Sequence, residues 1–248
     1  MHWYLTFFSL AGFFVEYGFT RLTPEFIHPC TVDNRTCLIQ STIYAIPYFT
    51  KGMPELGVPP LDPFYIERLT IPLAGMKISF LKGNVFGFRK SVIDNVESNF
   101  ARRKFAIELH SNVTLNGGYE ATGKILNFPI NQEGEAKIKI TNFKMIVMMN
   151  LDIMTDDKGV NHLFIKNYKY NVGYGDKVHY NFTNLFKSHP ELSRTLHQLL
   201  NEHWKLVAEE FGKPIVDYAT ELAVRTIEKF FLAVPYEELI EGPIPSFK

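Results

Sequence analysis

The side chains best suited to chemistry in this 248-residue chain are eight histidines, two cysteines and a run of methionines. Their spacing decides what each group can do. Metal sites draw on His and Cys at short, repeated spacings, and these histidines do not fall into one. His197 and His203 are six apart and face different sides of a helix. His162, His179 and His189 fall near expected turns or strand ends. The GxSxG elbow, the phosphate loop, GxGxxG, HExxH and CxxC are all missing. No catalytic residue, metal ligand or cofactor is therefore assigned. Gly173-Tyr174-Gly175-Asp176 is a lone GxG with no helix after it and reads as a turn at a strand end. Asp156-Asp157 reads as a solvated hairpin tip.

Cys30 and Cys37 are the only cysteines. Six residues separate them, which excludes a CxxC redox pair, and two ligands are too few for a structural zinc. The start of the chain offers a different role. Trp3 to Val15 is an apolar run too short to span a bilayer but suited to the core of a secretory leader. The run lacks a basic flank, so a retained interfacial anchor is the competing reading. The expected organisation is a signal peptide over residues 1–20 and one domain over 21–248, secreted and monomeric, with no transmembrane segment. In an oxidising compartment Cys30 and Cys37 would pair. So short a loop contributes only about 2.5 kcal/mol in the chain-entropy model, so an apolar core must hold the rest. Sequons at Asn34, Asn112 and Asn181 fit an exported glycoprotein.

Lys plus Arg equals Asp plus Glu at 26 each. That balance gives no support to nucleic acid or an anionic membrane as the main partner. Arg102-Arg103-Lys104 is too short for a nucleic-acid patch. Aromatics are 15% of the chain, so large apolar side chains dominate the interior.

The elements that would position these groups follow from periodicity. Ile39, Ile43, Ile46 and Phe49 have helical spacing, with Gly52 as the stop and Pro47 as a kink or shortening. Four prolines in residues 53–64 predict an extended linker. From about residue 64 to 183 the period is two, as in "AKIKI" (136–140) and "KFAIELH" (104–110). Turn signals at 116–118, 131–134 and 156–159 suggest a meander of ten or so short strands. From Leu192 to Phe231 an apolar stripe of helical period runs roughly 60 Å, with a bend or break at Gly212 and Pro214. The fold class is α+β: a long C-terminal helix wrapped by a strongly curved antiparallel sheet.

Met145, Val147 and Met149 share one strand face and are either ordinary core or an adaptable lining for an apolar ligand. With Phe105 and Ile107 on a neighbouring strand and Trp204, Phe211, Tyr218 and Leu222 on the helix, they are the candidate lining. Tyr44 joins them from the first helix. Tyr44, Trp204 and Tyr218 could also supply polar donors.

Several segments resemble a known family. "GMPELGVPPLDPFYIERL" (52–69), "GYEATGKIL" (118–126), "NLF" (184–186), "LLNEHW" (199–204) and "VPYEEL" (234–239) are similar, in order, to elements of the insect Takeout and haemolymph juvenile hormone-binding proteins. The cysteine pair lies where that family has its N-terminal disulfide, and having only two cysteines places the chain nearer the Takeout branch. The resemblance implies an elongated fold with an internal hydrophobic tunnel. It also implies a non-enzymatic carrier of a hydrophobic small molecule, a terpenoid or long-chain lipid, in haemolymph or chemosensory fluid. An extracellular module that binds a receptor or lipid surface, with a dry interior, is the alternative. Two departures stand out: Lys187-Ser188-His189-Pro190 replaces a Gly-containing turn, and Pro47 interrupts the first helix.

Overall fold

Long alternating runs set the architecture. The computed structural model describes residues 22–73, 75–125 and 128–242, so the apolar run at Trp3–Val15 lies outside the described residues. Among the described residues six strands form one antiparallel sheet: β1 (Phe64–Leu73), β2 (Met76–Phe86), β3 (Val92–Asn99), β4 (Lys104–Ile125), β5 (Phe128–Thr155) and β6 (Asn161–Phe182). The order is β1-β2-β4-β5-β6, and β3 pairs with β4 along the stretch that β2 leaves free. Strands β4 to β6 are far longer than the short strands the sequence suggests.

The difference lies in how glycines are read. The glycines at 117, 118 and 134 sit inside β4 and β5 and not at turns. A Cβ on Gly117 would lie 2.6 Å from the Cα of Gly83, so only glycine lets β2 and β4 approach there. The true hairpin tip is 156–159, where the Asp156 carboxylate accepts from the N–H groups of Lys158 and Val160 at 2.9 and 2.8 Å.

The sheet curls because its long strands bend at a shared line of irregularities. Register shifts fall at Asn112 in β4 and Asn142 in β5. The Asn142 N–H donates to Asn112 Oδ1 at 2.9 Å, and Asn142 Nδ2 donates to Asp176 Oδ1 at 3.1 Å. Gly173–Asp176 therefore lies in mid-strand, correcting the strand-end turn. Gly175 is there because a Cβ would collide with the Asn142 carbonyl oxygen.

The helical segments complete the domain: α1 (Arg35–Phe49), α2 (Pro190–Glu202), α3 (Trp204–Phe211), α4 (Lys213–Ala233) and α5 (Tyr236–Leu239). The C-terminal stripe is thus three consecutive helices. The break at Gly212 is the expected one; the break at His203 has no Pro or Gly to signal it. Among the described residues no helix is long and apolar enough to cross a membrane. Helix α4 buries Val216, Thr220, Val224, Thr226 and Phe230. The two threonine hydroxyls donate to the carbonyls of Val216 and Leu222, four residues back, at 2.7 and 2.8 Å, so neither is left unpaired.

Residues 53–64 are not an extended linker. Pro54–Leu56 form a 3-10 turn closed by the Met53–Val58 bridge. Met53 and Val58 are buried against Phe230 and Val234 at the end of α4. The segment is then tied down by Asp62, whose carboxylate accepts from the N–H of Arg89 at 2.6 Å. Pro-rich composition here codes for a compact plug. Helix α1 continues through Pro47 to Phe49, and Gly52 (φ 87°) follows its end as expected.

Candidate functional site

Between the concave face of the sheet and α2–α4 lies a cavity of about 320 Å³. Its walls come from alternate residues of the strands, among them Ile71, Ile78, Phe80, Ile138 and Ile140, and from Leu196, Leu200, Val207 and Ile215 of the helices. Phe211, half exposed, stands where the chamber meets solvent. A second apolar cavity of about 230 Å³ lies under α1, between Leu38, Phe49, Ile107, Leu163 and Phe230. Among the described residues the two share no lining residue.

Two of the tyrosines around the first chamber turn their hydroxyls to the backbone. The Tyr119 hydroxyl donates to the Thr183 carbonyl at 2.7 Å, and the Tyr180 hydroxyl to the Trp204 carbonyl at 3.4 Å. Burial pushes Tyr119 and Tyr174 up to about 12 and Tyr180 up further, so all three stay neutral near pH 7. Tyr119 and Tyr180 therefore offer a ligand mainly their ring faces. Among the described residues Gln132 is the one side-chain amide in the wall.

The lid over this chamber is α2, fixed to the edge strand β6. Asn201 Nδ2 donates to the Tyr180 carbonyl and Asn201 Oδ1 accepts from the Tyr180 N–H, both at 2.9 Å. His197 Nε2 accepts from the Phe182 N–H at 3.1 Å while its Nδ1 lies 3.0 Å from the Ser193 carbonyl, which defines a neutral Nδ1–H ring. Both ring nitrogens are held by backbone. The turn before α2 forms without glycine: Asn184 and Phe186 adopt φ of 58° and 47°, and Leu185 and Phe186 line the chamber. Among the described residues no group of three His, Cys, Asp or Glu side chains could hold a metal.

The structure distributes the candidate residues widely. Phe211 lines the first chamber; Phe105 and Ile107 line the second. Met149 is 1% exposed in a core cluster with Leu151 and Leu163, and with Phe105 it floors a polar-edged groove. Met145, Val147, Tyr218 and Leu222 pack between the two chambers; Val147 touches both clusters. Tyr218 lies 6.4 Å from Phe64, centroid to centroid. Trp204 packs at the margin of the first cluster. Tyr44 is half exposed on α1, edge-on to His28 at 4.8 Å. Cys30 and Cys37 are bonded, and Asn34, Asn112 and Asn181 are all exposed. Asn34 also caps α1, accepting from the Cys37 N–H at 3.0 Å.

Sequence reasoning missed most of the first chamber. The signal was present in the alternation of "AKIKI" and in stripe positions 196, 200, 207 and 215. The bulkiest side chains were favoured instead, and bulky side chains fill space.

Comparison with known proteins agrees with this geometry. The model for haemolymph juvenile hormone binding protein matches residues 7–241. The circadian clock-controlled protein daywake of Drosophila melanogaster is 21% identical over 233 residues, 88% of each chain. Its counterpart in Drosophila yakuba is 22% identical over 232 residues, again 88% of each. The crystal structure of Epiphyas postvittana Takeout 1 superposes with a TM-score of 0.80 at 30% identity, covering 86% of this chain and 99% of that one.

Proposed function

Because the chain belongs to the haemolymph juvenile hormone binding protein family, we propose that it is a secreted, non-enzymatic carrier that holds a hydrophobic small molecule, a juvenile hormone-like terpenoid or another long-chain lipid, in its first chamber. The observation that carries the reading is the chamber itself. At about 320 Å³ it falls within the range of small-molecule pockets, and Tyr119 and Tyr180 turn their hydroxyls away. A fifteen-carbon chain removed from water gains ~12 kcal/mol at ~0.8 per methylene. An association cost of ~4 kcal/mol leaves enough for micromolar affinity.

A surface module with a dry interior would not need this space. Export as a monomer spanning residues 21–248, after loss of residues 1–20, is part of the proposal. The Cys30–Cys37 bond and the exposed sequons support it. Native mass spectrometry of protein secreted from insect cells tests the reading. The expected result is a stoichiometric lipophilic adduct lost on denaturation. Protein that emerges empty and ignores a panel of terpenoid esters and fatty acids would remove it.

A further inference from the structure

We infer that Gln132 is the polar anchor of the first chamber, and that the chamber selects a single aliphatic chain ending in one neutral hydrogen-bonding group, an ester, amide or alcohol. The inference rests on the carrier reading and narrows its ligand class.

The strand pattern isolates Gln132. On β5 the flanking Asn131, Glu133, Glu135, Lys137 and Lys139 are exposed. The inward period reads Ile130, Gln132, Ala136, Ile138 and Ile140, so a carboxamide occupies a position where alternation calls for an apolar residue. Register places it at the end of a cross-strand row, Ile71 to Ile78 to Ala121 to Gln132, all four lining the chamber. The ladder of β6 stops at Phe182, opposite Ala136, so Gln132 lies beyond that strand's end.

Among the described residues the Gln132 carboxamide makes no hydrogen bond. A hydrocarbon laid over it would strip its water and give nothing back, whereas a carbonyl or hydroxyl would pair with it. Among the described residues none of the lining side chains is charged, so an ionised carboxylate would enter without a countercharge. The chamber therefore favours a neutral polar end over both a bare alkane and a fatty-acid anion. A phenolic hydroxyl competes for the role: Tyr174 abuts Gly212 at the junction of α3 and α4. It pairs with Phe143, past the Asn142 bend, and so marks the other end of the chamber.

The test uses the secreted full chain and displacement of a fluorescent naphthylamine probe by methyl dodecanoate or dodecane, each delivered from cyclodextrin. Gln132→Met preserves shape and removes the hydrogen-bonding groups. It is expected to weaken the ester about tenfold while dodecane binds as well or better. Gln132→Leu repeats the test should the first variant fold poorly by circular dichroism. Equal effects on ester and alkane, or none on either, would overturn the inference. So would loss of the ester in Tyr174→Phe with Gln132→Met unaffected. Wild-type protein that binds neither the probe nor either ligand would instead bring down the carrier reading, and this inference with it.

Discussion

Asn201 and Tyr180 exchange two hydrogen bonds of 2.9 Å, one helix side chain standing in for the strand that edge strand β6 lacks. This gives the Leu-Asn-Glu-x-Trp element a physical role: its asparagine seats the lid of the first chamber on the sheet. Asn201→Leu removes both partners of a buried backbone unit and is expected to cost about 2 kcal/mol. Urea unfolding midpoints would register it. A change below ~0.5 kcal/mol would mean that water replaces the amide and that α2 is held by its leucines alone.

Glycines inside long strands make a second test. Gly117→Ala forces a methyl group against the Gly83 backbone and should destabilise by about 2 kcal/mol or more. Gly57 has φ 67° with nothing near its missing Cβ, so Gly57→Ala should cost only about 1 kcal/mol, from backbone strain. The reverse order in thermal or urea unfolding would refute the close-approach account of β2 and β4.

Buried phenols predict an alkaline limit. Burial raises Tyr119, Tyr174 and Tyr236 from 10.0 to about 12, and Tyr180 further. The folded state therefore holds these protons more tightly than the unfolded state. Their contribution is complete below pH 10 and is lost as pH climbs from 10 through 12. Stability measured across that interval should fall with a slope that Tyr119→Phe reduces. A slope unchanged in Tyr119→Phe would contradict it.

Blocking substitutions separate the chambers. Ile138→Trp places an indole in the first chamber and is expected to weaken a bound lipid at least tenfold. Ile107→Trp fills the second and should leave that affinity within about twofold. Equilibrium displacement on both variants checks this. Loss of binding in Ile107→Trp alone would move the ligand to the chamber under α1.

The sheet-around-helix plan was legible because periods of two and 3.6 persist over long stretches, and the family motifs added the same plan independently. Strand length was not, because Gly117 and Gly134 look like turn residues and are close-approach residues. Positions 53–64 misled for a related reason: proline bars a regular helix but permits a compact 3-10 turn that buries Met53 and Val58 on either side. At the site, periodicity finds the face yet cannot say where along it packing fails. Met145 and Ile138 both point inward from β5; one is core and the other wall, a distinction set by what the helices place opposite them.

Close packing of Met145, Val147, Tyr218 and Leu222 between two chambers makes a floor as well as a core. A linear ligand seated in the first chamber cannot thread past it, so the molecule carries a ruler. Each added methylene should tighten binding until the chain reaches that floor. Longer homologues would then have to leave their excess at the solvent side by Phe211, with affinity levelling off at a length fixed by how those four side chains pack.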